Sequence, residues 1–149
     1  MSCLCSLKIS RIRVRRAGYT RYLTATAFRT RKPTYTLENE YVKTQVVPAL
    51  GGKILRGFDK VGNYDFIYYN EVVKPALVGL AGPWISGGIE FNWPQHHRPT
   101  TFMPLEAIEE DNPDGGKTVW TGEVEPFGRM KGMARITVDK GRSYIKANV

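Results

Sequence analysis

Gly82-Pro83-Trp84-Ile85-Ser86-Gly87-Gly88-Ile89-Glu90-Phe91-Asn92-Trp93-Pro94-Gln95-His96-His97-Arg98-Pro99 is the chemically densest stretch of the chain. Gly87-Gly88 permits a positive φ or a close approach of backbone to backbone. If Ile89 to Trp93 is extended, Ile89, Phe91 and Trp93 share one face, while Glu90 and Asn92 share the other. The first set is expected in a core. The second places a carboxylate beside a carboxamide, followed at once by Gln95, His96, His97 and Arg98.

Such a cluster suits a polyhydroxylated ligand. Sugar hydroxyls present adjacent donors and acceptors, which planar Glu, Asn, Gln and Arg groups can bracket with paired hydrogen bonds. Trp84 or Trp93 can stack on the apolar face of a pyranose ring, or both can be core residues. Two rival chemistries fit less well. His96 and His97 are neighbours that point to opposite sides of an extended chain, and Glu90 with one His makes only two ligands, so no metal site is expected. A nucleophilic triad through Ser86 lacks the strained elbow such a serine needs.

Working outward, residues from Pro33 onward fall into short alternating or apolar segments separated by turn signals, as in an all-β domain. Strands are expected over Tyr41–Val47, Lys53–Asp59, Asp65–Tyr69, Thr101–Ile108, Lys117–Glu125, Gly132–Val138 and Ser143–Val149. In the second of these Ile54 and Phe58 are expected on one face and Leu55 on the other. Turns are expected at Gly51-Gly52, Val61-Gly62-Asn63, Asp111 to Gly116 and Asp139 to Arg142. Val72–Gly82, apolar but interrupted by Pro75, Gly79 and Gly82, reads as a connection with room for a short helix. The last strand still alternates at Val149, which suggests a domain cut short with an edge that another strand would cover.

The chain has 149 residues, enough for one domain, and no apolar run approaches the length of a membrane span. Its formal charge of +8 is unevenly placed. Nine of the 22 basic residues and none of the 14 acidic ones precede Pro33, so residues 33–149 carry a net charge of −1. Residues 1–32 therefore read as a separate, disordered or irregular basic leader, and residues 33–149 as the β domain. An acid-free leader can bind phosphates, but its only aromatic residues are Tyr19, Tyr22 and Phe28, and nucleic acid ranks last among the expected partners. The only cysteines, Cys3 and Cys5, are too close to close a stabilising loop. A disulfide-free chain fits a reducing, cytoplasmic setting.

The central block resembles the Gly-Gly-Ile segment of hexose-phosphate epimerases in the galactose mutarotase (aldose 1-epimerase) superfamily. Leu37–Lys43, Pro48–Ile54 and the turn Asp59-Lys60-Val61-Gly62-Asn63 are similar to the opening strands of that fold. The likeness is closer still to an uncharacterised bacterial domain family of mutarotase-like fold, often followed by tetratricopeptide repeats, and covers about residues 35–149. It implies an antiparallel β-supersandwich, incomplete here, that binds carbohydrate in a concave cleft without a cofactor. It also implies that the mutarotase acid and base lie downstream of these residues. Glu90 stands where the epimerase motif has Pro, and is the best carboxylate for acid or base work if the longer protein is an enzyme. Trp84, Asn92, Gln95, His96, His97 and Arg98 are the expected ligand contacts. The expected partners are a carbohydrate and either the missing C-terminal half of the domain or a strand-donating chain. A non-catalytic recognition module and a truncated, inactive gene product are the alternatives.

Overall fold

A computed structural model describes residues 5–9, 14–16, 19–21, 25–29, 34–73, 75–77, 83–92, 103–125 and 128–149. The described chain is all-β, with one short 3-10 turn at Pro48–Leu50. Strands β1 (Cys5–Ile9), β2 (Val14–Arg16), β3 (Tyr19–Arg21) and β4 (Ala25–Arg29) fall in the basic N-terminal stretch. There β1 pairs antiparallel with β4, and β2 with β3.

Two four-stranded antiparallel sheets form the body. The first contains β5 (Tyr35–Glu38), β6 (Val42–Val47), β7 (Lys53–Asp59) and β8 (Tyr64–Asp65), in sequence order. Three short strands follow: β9 (Val72–Val73), β10 (Pro75–Leu77) and β11 (Pro83–Ile85). The second sheet contains β12 (Glu106–Asp111), β13 (Lys117–Val124), β14 (Lys131–Val138) and β15 (Lys146–Asn148), also in sequence order. Meander order follows from the short connections between strands, which leave antiparallel neighbours as the easiest pairing.

The sheets share one core. Leu37, Val42, Val46 and Ile54 from the first pack with Val119, Ile136 and Val138 from the second, and with Ile67. Each fully buried aliphatic side chain of this kind contributes about 1.5–3 kcal/mol. Asn39 ties the layers together at one end. Its Nδ2 donates to the carbonyls of Asp139 and Arg142, at 2.7 Å each, while its Oδ1 accepts from the amides of Tyr41 and Val42 at 2.8 Å. At the other end the Tyr35 hydroxyl donates to the Ala107 carbonyl.

A β-bulge in the first sheet changes the expected facing. Gln45 pairs with Arg56 but Val46 pairs with Ile54, so Leu55 is an extra residue. The bulge reverses the alternation beyond it. Ile54 faces the shared core, whereas Phe58 lies on the opposite face with Arg56, Gln45 and Lys43. Leu55 enters a second cluster with Val47, Leu50, Val73 and Ile85.

Other expectations need correction. Only Tyr64 and Asp65 of the segment ending at Tyr69 pair as strand, because Phe66–Tyr69 turns to receive the Gly-Gly segment. The stretch Val72–Gly82, expected as a connection or short helix, contains β9 and β10 instead. The strand expected over Thr101–Ile108 begins at Glu106, beyond Pro104, which cannot donate to a ladder. The final strand is confined to Lys146–Asn148.

Candidate functional site

The site is built where residues 83–92 cross the first sheet. Strand β11 pairs with β10, with Trp84 opposite Ala76. Ile85 is buried in the second hydrophobic cluster, and Phe91 packs against the shared core. These two apolar anchors fix the ends of Ser86–Glu90.

Between them the chain makes the turn that Gly87-Gly88 allows, with φ of +87° and +76°. The Gly88 amide donates to the Tyr68 carbonyl at 2.8 Å. Ile89 and Ile54 then exchange both backbone hydrogen bonds, at 2.7 and 3.1 Å. A Cβ on Gly88 would sit 2.4 Å from the Ile54 carbonyl oxygen, closer than any real side chain comes. Glycine is required there by both the backbone angle and the contact.

Beneath the turn lies Lys53, the first residue of β7 and only 1% exposed. Its Nζ donates to the carbonyls of Ile85 at 2.7 Å and Gly87 at 2.8 Å. Burial pushes this ammonium below the usual lysine range, and the charge of Glu90 opposes that shift. The Glu90 charge is thus felt at a buried cation. Lys53 pairs with Val47, and so shares the outer face of the sheet with Gln45, Arg56 and Lys43. On that face Arg56 is bonded through Nη2 to Asp65 at 2.9 Å, and its guanidinium covers the rings of Phe58 and Tyr69. The Asp65 hydrogen bond raises the Arg56 pKa further.

Of the residues expected from sequence to touch a ligand, Trp84 is half-buried, Asn92 is exposed and Glu90 lies between the two apolar anchors. Trp93, Gln95, His96, His97 and Arg98 lie outside the described residues. Ile89, expected in the core with Phe91, is 44% exposed, because its backbone rather than its side chain is what docks on β7. Lys53 and Arg56 escaped sequence reasoning. The available signal for Lys53 was a charged residue opening a strand that continues Ile54-Leu55.

Among the described residues, no group of three His, Cys, Asp or Glu side chains could hold a metal ion, and no helix is long and apolar enough to cross a membrane. A groove of about 600 Å³ lies elsewhere, on the outer face of β12–β14 around Ile108, Trp120 and Met133. There the Trp120 indole donates to Glu110 and lies under the Arg135 guanidinium.

Residues 17–149 match a family described as a domain of unknown function, DUF5107. The structure is also similar to the crystal structure of a TPR-domain containing protein from Parabacteroides distasonis ATCC 8503, with a TM-score of 0.75 and 19% sequence identity. That match covers 97% of this chain but 27% of the other, so the chain spans about a quarter of its structural relative. At this identity the likeness carries the fold alone.

Proposed function

We propose that this chain, which belongs to the DUF5107 family, recognises carbohydrate as part of a galactose-mutarotase-like domain, through the segment Trp84–Asn92 and the residues that follow it. The observation that supports this reading is the docked Gly-Gly turn, which a buried ammonium fastens to β7 and which leads directly into Glu90, whose charge that ammonium feels. A carboxylate fixed in this way can accept hydrogen bonds from vicinal hydroxyls with little ordering cost. Asn92 supplies a carboxamide donor and acceptor nearby, and Trp84 an apolar surface. Gln95, His96, His97 and Arg98 follow directly in sequence and extend the same polar set.

Recognition is favoured over turnover as the role of these residues. The lysine that feels the Glu90 charge is already committed to two carbonyls, an arrangement suited to fixing the turn rather than to exchanging protons with a substrate. In a longer, enzymatically active protein of this type Glu90 would be the first carboxylate to test for acid or base work.

The test is titration of the chain with a panel of neutral mono- and disaccharides, followed by calorimetry. One sugar class should bind, and Asn92→Ala should weaken it about tenfold while leaving the unfolding free energy within about 0.5 kcal/mol, as expected for an exposed residue. Equal affinity of wild type and Asn92→Ala, or no binding across the panel, would count against the assignment.

A further inference from the structure

We infer that Lys53 is the positioning residue of the carboxylate site: its buried ammonium fastens the Ile85–Gly87 backbone to β7 and thereby sets where Glu90 stands. Burying a lysine is costly unless its donors are satisfied. Here the apolar strand Ile54-Leu55 is opened by a lysine that is almost fully buried, and two of its three N–H groups end on carbonyls of one turn. Both acceptors belong to the segment that carries Glu90, and neither belongs to the sheet in which Lys53 resides. An apolar residue would fill the same space between Val47 and the second cluster without that desolvation cost. The position of the charge therefore follows the turn and not the core.

The remaining bonds of the turn show why such a fastening matters. Gly88 is held by Tyr68, and Ile89 by Ile54, but both contacts lie on the C-terminal side of Gly87. On the N-terminal side Lys53 adds two hydrogen bonds, to Ile85 and Gly87, to the packing of Ile85 and the pairing of β11 with β10. With both sides held, the backbone at Gly87-Gly88 is restrained, and Glu90 follows two residues later. The inference rests on the carbohydrate reading only for what the carboxylate binds; the fastening of the turn stands on geometry alone.

Two measurements test it on the full chain. In the wild type, the Nζ protons of Lys53 should give a slowly exchanging ammonium signal by nuclear magnetic resonance, with couplings across the hydrogen bonds to the carbonyl carbons of Ile85 and Gly87. Loss of that signal into the rapidly exchanging surface lysines would overturn the inference without any variant having to fold. In Lys53→Met, amide exchange at Gly88 and Ile89 should accelerate about tenfold or more relative to Val119 and Ile136, whose amides lie in the ladder of the second sheet. Uniform acceleration everywhere would make Lys53 an ordinary core residue. For a sugar that binds the wild type, Lys53→Met and Glu90→Gln should each weaken affinity, and the double variant should be little weaker than either alone. Full additivity would separate the two residues. If the ammonium signal and the exchange pattern hold while no sugar binds, the carbohydrate assignment fails and the role of Lys53 in placing the turn stands.

Discussion

Gly88→Ala is the substitution that most sharply probes how the motif is held. Its new methyl would lie 2.4 Å from the Ile54 carbonyl oxygen and 3.0 Å from the Leu55 Cα, both backbone atoms of β7 that cannot swing aside. The φ of +76° adds left-handed strain of about 1–2 kcal/mol. Relief of the overlap requires the turn to lift from β7, which breaks the pair of hydrogen bonds between Ile54 and Ile89, worth about 0.5–1.5 kcal/mol each. The sum is roughly 2–5 kcal/mol. Gly115→Ala is the matched control, because Gly115 has a similar φ of +81° and its added methyl would meet only the flexible Lys140 side chain at 3.5 Å. That variant should lose about 1–2 kcal/mol, from backbone strain alone. Unfolded-state effects of glycine-to-alanine replacement are common to both and cancel in the comparison. With a urea slope of about 1–3 kcal/mol per molar, Gly88→Ala should fall below Gly115→Ala in midpoint by about 1 M. Coincident midpoints for the two variants would refute the docking of Gly88 on β7.

Three further outcomes are expected. Asn39→Ala should cost about 2–5 kcal/mol in urea unfolding, since four hydrogen bonds depend on that side chain. Asn39→Asp should be worse at pH 7 than in acid, because its carboxylate would face the Asp139 and Arg142 carbonyls. Ile136→Val should cost about 0.5–1.5 kcal/mol, as for a methyl removed from a packed core, and Ile108→Val on the exposed face of β12 should cost almost nothing. The last concerns pH. Lys53 titrates lower folded than unfolded, so the unfolded chain binds more protons between the lowered value and 10.5. Stability due to this group therefore rises with pH across that window. The difference between wild type and Lys53→Met should move in favour of the wild type as pH climbs toward 10.5, and a flat difference would show that Lys53 is not buried as a cation.

The all-β class and four of the longer strands were legible because period-2 alternation and turn residues survive in single segments. Val42–Val47, Lys53–Asp59, Lys117–Val124 and Lys131–Val138 all lie within a residue of their expected ends. What could not be read was set by contacts between segments. The bulge at Leu55 depends on register against Gln45 and Val46, and it alone sends Phe58 to the outer face. Phe66–Tyr69 has strand composition, yet its backbone serves Gly57 and Gly88 instead of a continuous ladder. Within the site, Gly87-Gly88 was recognisable as a place of close approach, but the surface approached was not. Lys53 is more than 30 positions away in sequence from the carbonyls it holds, and no local pattern links them.

The most direct test of the account is urea unfolding of the chain, followed by fluorescence from Trp84, Trp93 and Trp120, with and without each member of the sugar panel. One cooperative transition is expected, and a single sugar class should move it to higher urea. The gain would be about 2.7 kcal/mol at a hundredfold excess over the dissociation constant. A transition that stays in place across the whole panel at saturating concentrations would contradict carbohydrate recognition by the Gly87-Gly88 site.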